Sequence, residues 1–147
     1  MGKDGFWLLI LRKGKAFVPT MAQTEAGFYI GIEPVEVIDA TDRQGLEQAL
    51  IRAVNRGNPV VPTPTRDKFP EDPLLKHAKV KSLSTFEKSA QSWKLSKREG
   101  AYLIAPYRPG KHGGSEEDVD RTEAIPEEEP LEYAVHRLVE RATNIQG

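Results

Sequence analysis

Two stretches far apart in the chain carry an apolar stripe at helical spacing, and no other feature constrains the fold as strongly. Leu46, Ala49, Leu50, Ala53 and Val54 fall at steps of 3, 4, 7 and 8, and Leu131, Ala134, Val135, Leu138, Val139 and Ala142 repeat the spacing. Each stripe must be buried against a second layer. Thr41 or Asp42 supplies an N-cap oxygen for the first helix, and Arg52 and Arg56 suit its C-terminal dipole. Gly57 and Pro59 then stop it. Pro130 opens the second helix at a position where its missing N–H costs nothing.

The layer they lie on reads as strands. Phe6 to Leu11 is a six-residue apolar run closed by Arg12-Lys13-Gly14-Lys15, as in a buried central strand. Ala16 to Val18 return antiparallel until Pro19 removes a ladder donor and ends the pairing. Residues 27–38 form a third strand, broken or bulged near Gly31 and Pro34. Residues 92–97 alternate in polarity, Arg98-Glu99-Gly100 makes a three-residue turn, and residues 101–107 return, apolar on both faces. Residues 58–73 hold five prolines and form an extended, irregular connection. Residues 73–78 make one helical turn. Ser84-Thr85-Phe86-Glu87 is a capping box opening a short helix to about Gln91. Pro109 to Pro130 is turn-rich and acidic, with apolar anchors near Val119 and at Ala124-Ile125.

Strands and helices are segregated, which argues against a doubly wound parallel sheet. The expected fold class is α+β: a mostly antiparallel sheet of about five strands with two main helices packed on one face. A chain of 147 residues fits a single domain, 1–147, with residues 1–5 set aside from the fold. The absence of cysteine excludes disulfides, thiolate metal sites and cysteine nucleophiles, and no apolar run is long enough to span a bilayer. A cytoplasmic location is expected.

The net charge of −1 conceals a division into 0 over residues 1–65, +6 over 66–111 and −7 over 112–147. Glu116, Glu117, Asp118, Asp120, Glu123, Glu127, Glu128 and Glu129 place eight carboxylates within fourteen residues. Such a segment either solubilises a loop or attracts a basic partner, for instance a nuclease whose phosphate sites the carboxylates would occupy. Alternatively, acidic and basic segments pair within the fold. In the basic segment, Lys79, Lys81, Lys94, Lys97 and Arg98, with Phe86 and Trp93 interleaved, suggest a nucleic-acid-binding module. Against it, Phe86 and Trp93 occupy core-facing positions of their elements, and the overall pI is near 6.3.

Catalytic and metal signatures are weak. Gly110-Lys111-His112-Gly113-Gly114 has the residue types of an anion nest but neither nucleotide-binding spacing. His77, His112 and His136 lack zinc-site spacing, and Asp118-Val119-Asp120 departs from a calcium loop at Thr122 and Glu123. His112 with Lys111, or with His77, remains the weaker enzyme reading. The chain is expected to be no enzyme, with no cofactor and no metal.

Val18-Pro19-Thr20, Gly27-Phe28-Tyr29, Glu33-Pro34-Val35, Gly57-Asn58-Pro59, Lys81-Ser82 through Phe86 to Trp93, and Gly100-Ala101-Tyr102 run along most of the chain. Together they resemble the small bacterial immunity proteins of contact-dependent growth inhibition systems, the partners of secreted toxins. The resemblance implies a cytoplasmic, non-enzymatic protein that binds one toxin domain and blocks its active site. The resemblance names no contact residues; the acidic segment itself points to Glu116, Glu117, Asp118, Asp120 and Glu123 as the groups that meet cations of the toxin, with Tyr107 or another exposed aromatic as an apolar anchor.

Overall fold

The computed structural model describes residues 4–65, 73–110 and 115–144. In chain order the elements are β1 (Gly5–Arg12), β2 (Lys15–Thr24), β3 (Tyr29–Asp39), α1 (Arg43–Arg56), β4 (Val60–Val61), α2 (Pro73–Ala78), α3 (Leu83–Lys88), β5 (Ala90–Arg98), β6 (Ala101–Pro109), β7 (Ser115–Glu117), β8 (Glu123–Pro126) and α4 (Leu131–Asn144). The strands form one sheet in the order β3-β2-β1-β5-β6-β7, with β4 added to β2 and β8 to β6. Every pairing is antiparallel except β2–β4. The fold is α+β, as expected. Eight strands replace about five because β4, β7 and β8 are too short to show alternation.

The two stripes do what their spacing demands. Leu46, Ala49, Leu50 and Ala53 of α1, and Ala134, Val135, Leu138, Val139 and Ala142 of α4, are buried on one face of the sheet with Leu9, Leu11, Val18, Trp93, Leu95 and Ile104. Complete burial of each large side chain contributes roughly 1.5–3 kcal/mol. Asp42 caps α1 by accepting from the Gly45 N–H at 2.9 Å. The short helices α2 and α3 cover part of the opposite face, where Leu74, Leu75 and Phe86 pack on Ile10, Phe17 and Val35. The Ser82 hydroxyl caps α3 by accepting from the Thr85 N–H at 3.2 Å. The helix is therefore capped two residues before the expected Ser84, and it ends at Lys88, because β5 already starts at Ala90.

Pro19 does not end β2, which runs on to Thr24. Pro19 lies opposite Val35 of β3, whose N–H turns instead to the Glu33 carboxylate at 3.0 Å. The Pro19 nitrogen faces β1, but β1 pairs with β2 only from Ile10↔Phe17 to Arg12↔Lys15. Proline thus removes a donor where the two strands have already parted. The register of β2 against β3 jumps at Pro19/Thr20, leaving Glu33 and Pro34 as the extra bulge residues. The β1–β2 and β5–β6 turns are both two-residue turns, Lys13-Gly14 and Glu99-Gly100, with positive φ at each residue. Arg98 pairs with Ala101 and so belongs to the strand, not to a three-residue turn.

Candidate partner interface

The acidic segment is folded onto the basic one. β7 lies on the end of β6 with Tyr107 opposite Glu117 and Arg108 opposite Glu116. Glu117 Oε2 accepts from Lys94 Nζ at 2.6 Å, and Lys94, in mid-sheet, is only 8% exposed. Arg108 donates to Glu116 at 3.1 Å and to Asp118 at 3.3 Å. β8 places Glu123 beside α4, where both its oxygens accept from Arg137 Nε at 3.0 Å and one lies 3.4 Å from Arg141 Nη1. Glu127 lies 3.5 Å from Lys97. Charges from the +6 and −7 segments therefore compensate each other inside one molecule. Removing one partner of a pair as buried as Lys94–Glu117 leaves a charge with little solvent to replace it.

Of the expected contact residues, Glu116, Glu117, Asp118 and Glu123 are engaged in these pairs. Asp120 is exposed in a 3-10 turn, Val119–Arg121, and has no ion pair among the described residues. Val119 beside it is 70% exposed and anchors nothing, whereas Ile125 is buried. Tyr107 is half-buried, and burial first, then the Glu117 charge, pushes its hydroxyl above the ordinary tyrosine range.

Free carboxylates collect at one end of the sheet. Strand β8 leads into the turn before α4, and the Glu127 N–H donates to Gly100 O at 2.8 Å, which fastens that turn to the β5–β6 turn. Glu99, Glu128, Glu129 and Glu132 are exposed there without ion pairs among the described residues. Tyr133, half-exposed on the first turn of α4, adds a large aromatic surface. Tyr133 was legible as a surface residue, since it falls off the apolar stripe of its helix. The sequence carries no signal for the hydrogen bond that fastens the turn before α4 to the β5–β6 turn.

The basic residues do not form the single surface expected of them. Lys94 is buried, while Lys97 lies over the Tyr102 ring at 5.7 Å and pairs with Glu127. Arg98 is exposed next to Glu99 at the acidic end, and Lys79 and Lys81 are exposed on the α2–α3 connection. Phe86 and Trp93 are buried, as their core-facing positions indicated, and offer no stacking platform. His77 and His136 each contact a different carboxylate, Glu33 at 3.1 Å and Glu47 at 3.2 Å. His112 and the Lys111–Gly114 part of the anion nest lie outside the described residues. Among the described residues no group of three metal-ligating side chains converges, and no helix is long and apolar enough to cross a membrane.

Neither a family model nor a curated protein sequence matches the chain. Solved structures that share its fold include two that it matches over nearly their whole length. One is a protein of unknown function from Neisseria meningitidis, with a TM-score of 0.68 at 12% identity, covering 97% of this chain and 95% of that one. The other is a chain of a CdiA-CT/CdiI toxin and immunity complex from Yersinia pseudotuberculosis, with a TM-score of 0.61 at 15% identity, covering 95% and 97%. At the level of the fold, the second agrees with the resemblance read from the sequence.

Proposed function

We propose that this chain is an immunity-type protein that binds a cognate toxin domain and blocks it, acting in the cytoplasm by binding and not by catalysis. The observation that carries this reading is the likeness, over nearly the full length of both chains, to a chain of a toxin and immunity complex. Fold alone does not dictate function, so the surface must supply the rest of the argument. The exposed carboxylates Glu99, Glu128, Glu129 and Glu132 set a negative potential that steers a basic domain towards the acidic end of the sheet, and exposed Asp120 lies apart from them, in the turn between β7 and β8. Tyr133 offers an aromatic anchor of the kind that dominates binding energy, and half-buried Tyr107 a second. Glu116, Glu117, Asp118 and Glu123 hold β7 and β8 in place and contribute to binding mainly through that scaffold. A toxin that cleaves nucleic acid fits best, because carboxylates can fill sites built for phosphates.

The test is recovery of the tagged chain from its native cell, with identification of the partner by mass spectrometry and co-expression of the two in a growth assay. A toxin domain recovered in equal amount, whose lethality the chain suppresses, supports the proposal. A partner whose expression alone does not harm the cell overturns it.

A further inference from the structure

Cations on the sheet and the two long helices are largely paired: Lys15, Arg52, Arg56, Lys94, Lys97, Arg108, Arg137 and Arg141 all contact carboxylates. The layer over the opposite face behaves differently. Lys79, Lys81 and Lys88 on α2–α3 and Lys13 in the β1–β2 turn are exposed and make no ion pair among the described residues. The turn and the end of α3 adjoin one another, since Arg12 Nε donates to Ser89 Oγ at 2.8 Å and its guanidinium lies over the Phe86 ring at 5.6 Å. Between Pro73 and Ala90 the only acidic residue in the sequence is Glu87, and the one carboxylate that reaches α2 from another element among the described residues is Glu33, which contacts His77.

We propose that the α2–α3 layer and the β1–β2 turn form a docking surface for the phosphate backbone of a nucleic-acid duplex. Recognition is independent of base sequence, because the described surface presents no aromatic platform and its helices are only six residues long. The surface differs from the basic 76–98 segment of the sequence: it leaves out Lys76, whose charge acts on Glu33, together with Lys94, Lys97 and Arg98, and gains Arg12 and Lys13. It is also separate from the acidic end, so it stands whether or not the toxin partner is found.

The experiment is fluorescence anisotropy of a labelled DNA duplex of about 20 base pairs, titrated with the full chain between about 50 and 200 mM salt. The five cations Arg12, Lys13, Lys79, Lys81 and Lys88 in contact predict a slope of about −4.5 in log affinity against log salt. The double variant Lys79→Gln, Lys81→Gln is expected to bind roughly tenfold more weakly at low salt and to flatten the slope by nearly two. Arg98→Gln with Arg121→Gln, the same charge loss at exposed positions off the layer, leaves both unchanged. Absence of binding at low salt, or equal losses in the two double variants, overturns the proposal. So does competition by polyglutamate as effective as by the duplex, which would make this an acidic-protein surface instead.

Discussion

Where β1 and β2 part, the carboxamide of Asn58 takes the place of ladder bonds. Its Oδ1 accepts from the Phe6 N–H at 3.1 Å, and its Nδ2 donates to Phe6 O at 2.8 Å and Met21 O at 3.0 Å. One amide side chain thus satisfies backbone groups of both strands, and only asparagine combines donor and acceptor at this reach. Asn58→Ala strands three part-buried backbone groups and is expected to cost about 2–3 kcal/mol, read from urea unfolding. Asn58→Asp sets a carboxylate against two carbonyls and should be no better tolerated. A loss below about 0.5 kcal/mol for both would mean that water replaces the amide without penalty. Glu99 gives the opposite sign. At φ +43°, as the first residue of a two-residue turn before Gly100, it occupies a position that asparagine prefers. Glu99→Asn should stabilise by about 0.5–1 kcal/mol in the same assay.

The edge strand β3 is held at three points by carboxylates. His77 of α2 hydrogen-bonds Glu33 and holds its pKa below the usual range, chiefly through that bond. Arg52 of α1 does the same to Glu36, with Nε within 3.1 Å of both oxygens. Asp39 is lowered by the Thr41 hydroxyl and N–H, with Lys15 adding less. A carboxylate whose folded pKa lies below its unfolded value stabilises fully above the unfolded value, about 4, and loses that contribution as pH falls through the folded one. Urea midpoints should therefore drop as pH is lowered from about 5 towards 3, and Glu36→Gln should flatten that dependence. Amides of β3 should also exchange before those of β5 and β6 in acid. An unchanged pH profile in Glu36→Gln would remove Arg52–Glu36 as a cause. The Glu33 and Glu36 anchors were not visible beforehand, because each joins β3 to a helix whose docking the strand pattern does not carry, whereas Asp39 is held locally by Thr41 two residues on. What periodicity can carry was legible: α1, α4, their stops and the 90–109 hairpin each announce themselves within one segment. Pro19 misled because its effect depends on which neighbour its nitrogen faces, a property of sheet order and not of the local run.

For the molecule as a whole, the charge split along the chain becomes a split in space. Strand direction puts Asp4, Glu99, Glu127–Glu129 and Glu132 at the end of the sheet where β1 starts and β5 ends. Arg12 and Lys13 lie at the other end, beside the end of α3. The sequence placed the break between residues 111 and 112. Folding moves it, because Lys94, Lys97 and Arg108 are neutralised by Glu117, Glu127, Glu116 and Asp118. The acidic segment therefore has two kinds of carboxylate, and they should separate by experiment without any partner present. Glu117→Gln leaves the Lys94 ammonium nearly buried and unpaired, so unfolding free energy should fall by about 2 kcal/mol. Glu128→Gln with Glu129→Gln touches only solvated, unpaired charge and should stay within about 0.5 kcal/mol of the parent. Once a basic partner is in hand the order should invert. The Glu128, Glu129 pair should slow association and reduce its sensitivity to salt, since steering depends on exposed charge, whereas Glu117→Gln should leave the association rate nearly intact. If Glu117→Gln instead slows association as much as the double variant while costing no stability, the Lys94 pair is an interface element and the acidic end is only a solubilising surface.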